Sequence, residues 1–323
     1  MKRKSLKAIT KETKTVHVPS SIKPQRARQL IRRFHLLLKN KTLALQKLQS
    51  SEADYLTKLK QIGTFQVYSG NRQKVVDSIK VNSLETENVI KIESLEPMFL
   101  SGLLGRIDGE IFKRGGLDAY QVASTQGQNG KRGGDSSKYL IKWLSELELF
   151  SKVGIKPNAL EIGCLSSQNL ISTSKVFEEV VRIDLQSQES KILKQDFMQR
   201  PLPKNDTEKF NLISCSLVLN FVPTASDRGQ MLKRVTTFLK ETHSYFFLVL
   251  PLPCITNSRY CTQEHVAKLM SSLGFQELKF YQAQKIAYWL YKWNGSKSLT
   301  GKTFLKKELV SGKGMNNFCI VLD

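Results

Sequence analysis

Two short apolar segments joined through a glycine turn constrain the fold of this chain more than any other feature. The first segment, residues 158–164, reads as a buried strand that ends at Gly163. The second, residues 181–184, reads as another strand and closes on Asp184, twenty-one positions after Gly163. Glycine lets a ligand approach the backbone, and an acid about 20 residues further on can accept hydrogen bonds from ribose hydroxyls. This spacing predicts a nucleoside pocket in an α/β domain, the alternative for Asp184 being a helix cap.

The pattern after Pro157 alternates regularly between apolar strands and amphipathic helices. Such alternation predicts a parallel, doubly wound α/β sheet, and two late apolar strands predict an antiparallel finish at its edge. The predicted strands are 159–163, 180–185, 245–250, 278–291 and 317–322, and residues 210–219 are predicted as a strand that runs into the start of a helix. The predicted helices are 169–178, 227–240 and 262–273.

Positive charge is concentrated at the amino terminus. The 323 residues carry a net charge of +22, and residues 1–50 hold fourteen Lys or Arg against one acid, Glu12. Residues 1–21 have no apolar periodicity, whereas an amphipathic helix is predicted from Pro24 onwards. A polarised basic segment favours nucleic-acid contact and a nuclear or nucleolar address. The alternative is a solvated basic tail followed by a docking helix.

Residues 51–150 form a predicted extension between the basic segment and the α/β domain at 151–323. Its part from 96 to 134 holds nine glycines and predicts a long ordered loop, either a structural cover or a lid over the bound ligands. A helix is predicted at 139–150, with Ser136 or Ser137 as its cap.

The cysteines and histidines indicate neither disulfides nor a metal site. Five cysteines are widely spaced without a C-x-x-C pair, which favours buried thiols, and four histidines lack metal-ligand spacing. No secretory signal or membrane-spanning run is found, so we expect a soluble intracellular protein without metal or membrane partners.

Two further segments carry candidate site residues. In the first, Asp196 could bind an exocyclic amine and Phe197 could stack on a purine, the alternative being a turn aspartate beside a core phenylalanine. In the second, residues 210–223, Ser214 is predicted at the carboxyl end of a strand, where open α/β sheets bind ligands.

Taken together, these segments resemble the class I S-adenosylmethionine-dependent methyltransferases, and more closely the fungal 25S ribosomal RNA adenine-N(1) methyltransferase family. The resemblance covers nearly the whole chain. Class I enzymes usually carry two or three glycines in the first motif, whereas here Gly163 is followed by Cys164, Leu165 and Ser166. The segments that carry the family resemblance are 120–128, 132–138, 160–163, 181–184, 195–197 and 214–223, with the basic arm and helix at 14–17 and 32–38.

This resemblance implies methylation of N1 of one adenine in 25S rRNA, in the nucleolus of the nucleus, during rRNA processing and ribosome biogenesis. It implies S-adenosyl-L-methionine as the cofactor, 25S rRNA or a pre-60S particle as the partner, and a monomer. The implied cofactor contacts are Gly163, Asp184, Asp196, Phe197 and Ser214. Ser214 and Asn220 are hypotheses for positioning the target base, and Phe221 or Tyr120 for stacking on it. The alternatives are a non-catalytic S-adenosylmethionine sensor and a small-molecule methyltransferase, both of which leave the basic arm unexplained.

Overall fold

The computed structural model describes residues 24–78, 96–127, 135–185, 187 and 189–323, and the chain divides into two compact units. The first unit comprises residues 1–37 and 44–123, and the second comprises 38–43 and 124–323. The predicted division placed its boundaries after residues 50 and 150 instead.

The described part of the first unit is helical. The predicted helix from Pro24 is confirmed, and Phe34 and Leu37 on its predicted apolar face are buried. Residues 38–43 of α1 and the end of α5 belong to the second unit. The helices are α1 (Pro24–Lys47), α2 (Tyr55–Gln61), α3 (Phe65–Asp77), α4 (Pro97–Lys113) and α5 (Gly116–Gly127).

The glycine-rich segment is helical where a loop was predicted, and that prediction is wrong over residues 97–127. A Cβ at Gly105 would lie 2.2 Å from the backbone oxygen of Tyr68, and one at Gly109 would lie 2.8 Å from that of Arg72. These glycines share one face of α4 and let its backbone touch α3. Glycine serves helix packing here rather than turns. Residues 128–134 of the segment lie outside the described residues.

A buried ion-pair cluster holds α1 and α4 together. Glu110 is fully buried and accepts hydrogen bonds from Arg33 at 2.8 and 2.9 Å and from Arg114 at 2.7 Å. Burial alone would raise the pKa of Glu110, but these hydrogen bonds outweigh it and lower the pKa. Arg33, one of the cations in the basic segment, is therefore committed to the fold.

The described part of the second unit is a mixed sheet with helices on both faces, which confirms the predicted fold class. The strand order is β3-β2-β1-β4-β5-β7-β6, with β7 antiparallel to both of its neighbours and the other pairs parallel. The strands are β1 (Asn158–Ile162), β2 (Glu179–Asp184), β3 (Leu193–Lys194), β4 (Leu212–Ser216), β5 (Ser244–Pro251), β6 (Phe275–Gln282) and β7 (Ile286–Trp293). The helices are α6 (Ser137–Glu146), α7 (Leu170–Thr173), α8 (Ala225–Thr237), α9 (Pro253–Thr256) and α10 (Gln263–Ser272).

Two late elements differ from the prediction. The segment predicted as one strand at 278–291 is the hairpin of β6 and β7, which supplies the antiparallel edge. The segment predicted as a strand at 317–322 forms only isolated bridges, Ser258 with Asn316 and Phe304 with Leu322. It packs instead on α8, where a Cβ at Gly229 would overlap the backbone oxygen of Val321.

Along β1, β4, β5 and β7, side chains alternate between two core layers. In β4, Leu212 packs in the layer that contains α6, whereas Ile213 and Cys215 pack in the layer that contains α8. All five cysteines are buried free thiols. Within the described ranges, no three His, Cys, Asp or Glu side chains are grouped as metal ligands. No described helix is both long and apolar enough to cross a membrane.

Candidate active site

The glycine turn after β1 lies beside the acid that ends β2. The backbone N–H groups of Gly163 and Cys164 donate to the oxygen of Ile183 at 2.8 and 3.1 Å, so the turn is fixed next to Asp184. Gly163 has φ +74°, and a Cβ there would lie 2.2 Å from Cγ2 of Val218. Both conformation and space thus require glycine, and the two principal residues predicted from sequence are brought together.

Asp184 is partly exposed at the carboxyl end of β2. Its backbone oxygen accepts a hydrogen bond at 2.9 Å from Gln195, which leads out of β3. The carboxyl ends of parallel strands form the ligand-binding edge of an open α/β sheet. Asp184 therefore occupies a suitable place for a ribose contact, which stays a prediction.

Asp196 and Phe197 have the geometry expected of a turn aspartate beside a core phenylalanine. Oδ1 of Asp196 accepts a hydrogen bond at 2.8 Å from the backbone N–H of Met198 and caps the 3-10 turn at 197–199. The ring of Phe197 is buried in the core, 5.3 Å from that of Phe238. The cofactor roles of this pair stay predictions.

Ser214 was predicted to lie at the carboxyl end of its strand, but β4 continues to Ser216. Ser214 is at the middle of β4, buried between Glu161 and Phe247 of the neighbouring strands. Ser216, two residues further on the same face, is partly exposed and hydrogen-bonds Ser136 through its hydroxyl at 2.7 Å. Ser216 is thus the serine at the carboxyl edge of the sheet. The end of the strand could not be located from sequence, because the residues that follow it are also apolar.

The chain after β4 is strained. Leu217 has φ +57°, a left-handed conformation that costs a branched or bulky residue about 1–2 kcal/mol. It leads into the 3-10 turn Leu219–Phe221 and places Val218 against the Gly163 turn. In this turn Asn220 and Phe221 are partly exposed, and Oδ1 of Asn220 is buried without a partner among the described residues. An acceptor left unpaired in this way suits a ligand that donates a hydrogen bond.

Glu161 is a further candidate site residue, to which the sequence analysis assigned no role. It stands two residues before Gly163 and is buried, with Oε1 accepting from Nδ2 of Asn169 at 2.8 Å. Its Oε2 has no hydrogen-bond partner in the described part of the chain. Burial raises the pKa of Glu161 to about 7, although the hydrogen bonds from Cys164 and Asn169 oppose this shift. In the sequence, Glu161 could have been singled out because it is a carboxylate within an otherwise apolar strand.

Asp135 holds the far end of the loop that begins at Gly163. Its Oδ2 accepts from the N–H of Leu170 at 2.8 Å, and its Oδ1 accepts from Ser137 at 2.9 Å (backbone) and 2.6 Å (hydroxyl). The hydroxyl oxygen of Ser137 accepts from the N–H of Ile171 at 3.0 Å. Asp135, rather than Ser136 or Ser137 as predicted, thus caps α6, and the same carboxylate fixes the start of α7.

Tyr120 belongs to the first unit, where its ring stacks on Phe34 at 4.5 Å. Its hydroxyl lies 2.9 Å from Nε2 of His35, and burial lowers the pKa of His35 to about 3. These contacts give Tyr120 a structural role in that unit, while its role in base stacking stays a prediction.

The described part of the second unit thus presents a glycine turn without room for a side chain, a buried acid with one oxygen unpaired among the described residues, and an acid closing the next strand. These features fit a nucleoside-bearing cofactor. With the strand order and the antiparallel edge, they define a Rossmann-like class I methyltransferase domain. The family model for 25S rRNA (adenine(2142)-N(1))-methyltransferase, Bmt2, matches residues 105–320. The chain belongs to this family.

Two relatives and one solved structure illustrate the similarity. The chain is 40% identical to a 25S rRNA (adenine(2142)-N(1))-methyltransferase of Saccharomyces cerevisiae, over 98% of each chain. It is 42% identical to a 25S rRNA adenine-N(1) methyltransferase of Schizosaccharomyces pombe, over 64% of this chain and 76% of the relative. A S-adenosylmethionine-dependent methyltransferase from Clostridium acetobutylicum superposes with a TM-score of 0.40 and 14% identity, over 54% and 98% of the chains.

Proposed function

We propose that this protein transfers the methyl group of S-adenosyl-L-methionine to N1 of an adenine in 25S rRNA. The observation that carries the proposal is the Gly163 turn fixed against the end of β2 at Asp184, in a chain that belongs to the Bmt2 family. The full-length similarity to the Saccharomyces cerevisiae enzyme supports the same reaction.

The cofactor, when bound, supplies a methyl group activated on a sulfonium. Gly163 would let the cofactor approach the backbone, and Asp184 would accept hydrogen bonds from its ribose. Asp135 would keep the loop between β1 and α7 in place. We retain Asp196, Phe197 and Ser214 as proposed cofactor contacts. Phe197 and Ser214, which are buried, would shape the walls of the pocket.

The reaction asks little acid–base chemistry of the protein. Adenine N1 carries an in-plane lone pair, so the protein mainly has to unstack the base, align N1 with the methyl group and exclude water. Asn220 is suited to orient the base because its Oδ1 has no hydrogen-bond partner among the described residues and could accept a hydrogen bond from the exocyclic amine. Ser214 is retained as a proposed base-positioning residue, and Phe221, in the same turn as Asn220, as a proposed stacking surface.

The proposed partner is 25S rRNA, either free or within a pre-60S particle, and the proposed place of action is the nucleolus. The charge of residues 1–50 supports RNA contact, since phosphate binding requires a basic surface. Seven of its fourteen cations lie at 1–23, outside the described residues. The protein is proposed to act as a monomer.

The test is transfer of labelled methyl from S-adenosylmethionine to 25S rRNA, followed by digestion and nucleoside separation. We expect the label in 1-methyladenosine and little transfer to small-molecule acceptors. Tight cofactor binding without transfer to free rRNA or pre-60S particles would instead support the sensor. Transfer only to small molecules would support the third alternative.

A further inference from the structure

Three tyrosine rings of the second unit are grouped at one end of the sheet. Tyr139 lies in the first turn of α6, and Tyr281 and Tyr288 are paired across the two strands β6 and β7. The ring centre of Tyr139 lies 5.0 Å from that of Tyr281, with 25° between the ring planes, and 4.6 Å from that of Tyr288. The ring centres of the two strand residues are 6.0 Å apart. We call these three residues the tyrosine cluster.

The tyrosine cluster lies at the same edge of the sheet as the glycine turn after β1. Because β7 is antiparallel to β5, it begins where β5 ends, and Tyr288 is paired with Val249. Val249 is in turn paired with Ser216, and its backbone oxygen accepts a hydrogen bond at 3.0 Å from Leu217. Neighbouring strands lie about 4.8 Å apart, so Tyr288 is about 10 Å from the end of β4, where the turn that carries Asn220 begins.

The tyrosine cluster has a buried base and an exposed end. Tyr288 is buried, with its ring centre 6.4 Å from that of Phe247, and the ring centre of Tyr139 lies 6.1 Å from that of Trp143. Tyr281, by contrast, is 42% exposed. The core thus fixes the grouped rings while one of them is open to solvent. A fixed aromatic surface loses little conformational entropy when a further ring stacks on it.

The hairpin that presents two of these rings carries only positive charge. Residues 278–293 hold three lysines and no acid. Lys285 is exposed at the tip of the hairpin and forms no ion pair among the described residues. Its backbone oxygen accepts a hydrogen bond at 2.8 Å from Leu252, which holds the tip beside the end of β5. An exposed aromatic ring on a basic hairpin suits single-stranded RNA, whose bases stack on aromatic side chains and whose phosphates attract cations.

We propose that Tyr281, stacked on Tyr139, binds an unpaired base of the substrate RNA next to the methylated adenine. Unstacking the target adenine exposes the faces of its neighbours in the strand, and the tyrosine cluster is placed at the same sheet edge to take one of them. This inference rests on the proposed function. It assigns a second stacking surface, distinct from the one proposed for the target base itself.

The test compares Tyr281→Thr, which removes the exposed ring, with the control Tyr281→Phe, which keeps it. Threonine retains a high strand propensity, and Tyr139 is left intact because it also packs on the core. Affinity for a 25S rRNA fragment, KM for RNA, kcat, cofactor affinity and thermal unfolding are measured for each protein. The fragment is also prepared with a single abasic nucleotide at each position flanking the methylated adenine.

We expect Tyr281→Thr to bind the intact fragment about 5- to 150-fold more weakly, the range found when a base-stacking aromatic side chain is removed. KM for RNA should rise, with kcat and cofactor affinity unchanged, and Tyr281→Phe should behave like the wild type. The difference should disappear with the fragment that is abasic at the stacked position, because that RNA has no base to stack. A purely structural role of Tyr281 would not produce this dependence on the RNA.

Wild-type affinity in Tyr281→Thr, an equal loss in Tyr281→Phe, or the same loss with every abasic fragment would overturn the stacking surface. A defect seen only with pre-60S particles would also overturn it and would indicate a protein partner instead. If the wild type neither binds nor methylates 25S rRNA, the proposed function fails as well. Normal methylation by the wild type and both variants, with equal affinities, refutes the stacking surface alone.

Discussion

Replacing Gly163 by alanine should impair the pocket for two separable reasons. The residue has φ +74°, and a left-handed conformation costs a non-glycine residue about 1–2 kcal/mol. The new Cβ would also lie 2.2 Å from Cγ2 of Val218, and such overpacking typically costs about 1–3 kcal/mol. The sum is about 2–5 kcal/mol, shared between the stability of the fold and the affinity for S-adenosylmethionine. If half of it acts on binding, affinity falls by about fivefold to seventyfold.

A double-mutant cycle with Val218→Ala separates the two contributions. Val218→Ala removes the atom that clashes but leaves the backbone of residue 163 unchanged, so Gly163→Ala should do less damage in that background. We expect a coupling free energy of about 1–2 kcal/mol between the two sites, within the range of residues in contact. Calorimetric titration with S-adenosylmethionine and urea unfolding of all four proteins provide the two readouts. Normal binding and stability of Gly163→Ala, or strictly additive effects, would refute the reasoning.

Further predictions concern packing, the loop anchor and two buried titratable groups. Gly105→Ala should destabilise the first unit by about 1–3 kcal/mol, because the new Cβ would overlap the backbone of α3. Gly70→Ala, whose Cβ would enter open space, should instead stabilise the unit by up to about 1 kcal/mol. Thermal unfolding measures both effects, and equal effects would contradict the contact between α3 and α4. Asp135→Ala should weaken cofactor affinity by about tenfold to a hundredfold, since hydrogen bonds to a charged group contribute about 1.5–3 kcal/mol each; unchanged titrations would show that the loop holds without it. Because the pKa of Glu161 is raised, its contribution to the free energy of unfolding should fall as pH rises from 4.5 to about 7, by up to about 1.4 kcal/mol per pH unit. In urea unfolding, Glu161→Gln should remove this pH dependence. A pH profile of the variant parallel to that of the wild type would contradict this. The lowered pKa of His35 acts in the opposite direction, because the unfolded state takes up a proton as pH falls below 6.5 while the folded state does not. At pH 5.5 this proton uptake should lower the free energy of unfolding by about 1.4 kcal/mol. A pH profile of His35→Asn parallel to that of the wild type would contradict this.

Much of the α/β domain could be predicted because its local patterns agree with its packing. Strands β1, β4 and β5 are short, mainly apolar runs. Thr262 caps α10 as predicted, by accepting a hydrogen bond from His265 at 3.1 Å. Gly163 and Asp184 were found because the connection between parallel strands brings their carboxyl ends to one edge. Local sequence therefore determines this part of the site directly.

The remaining features depend on contacts between distant segments. The glycines of α4 resemble a loop in sequence, and only α3 lying against Gly105 explains them. The carboxylate of Asp135 reaches Leu170, 35 positions away, and no local pattern indicates that hydrogen bond. The end of β4 was misplaced because the strained Leu217 and the residues after it are as apolar as the strand.

If the Gly163 pocket serves methyl transfer to 25S rRNA, filling this pocket should abolish the transfer. Labelled methyl transfer to 25S rRNA is compared for the wild type and Gly163→Arg, with cofactor and RNA affinities measured in parallel. An arginine would fill the turn while leaving intact the basic segment at 1–50, which is proposed to contact RNA. The account predicts labelled 1-methyladenosine with the wild type, and loss of both label and cofactor binding, with RNA affinity retained, in the variant. Equal labelling by the two proteins would contradict it.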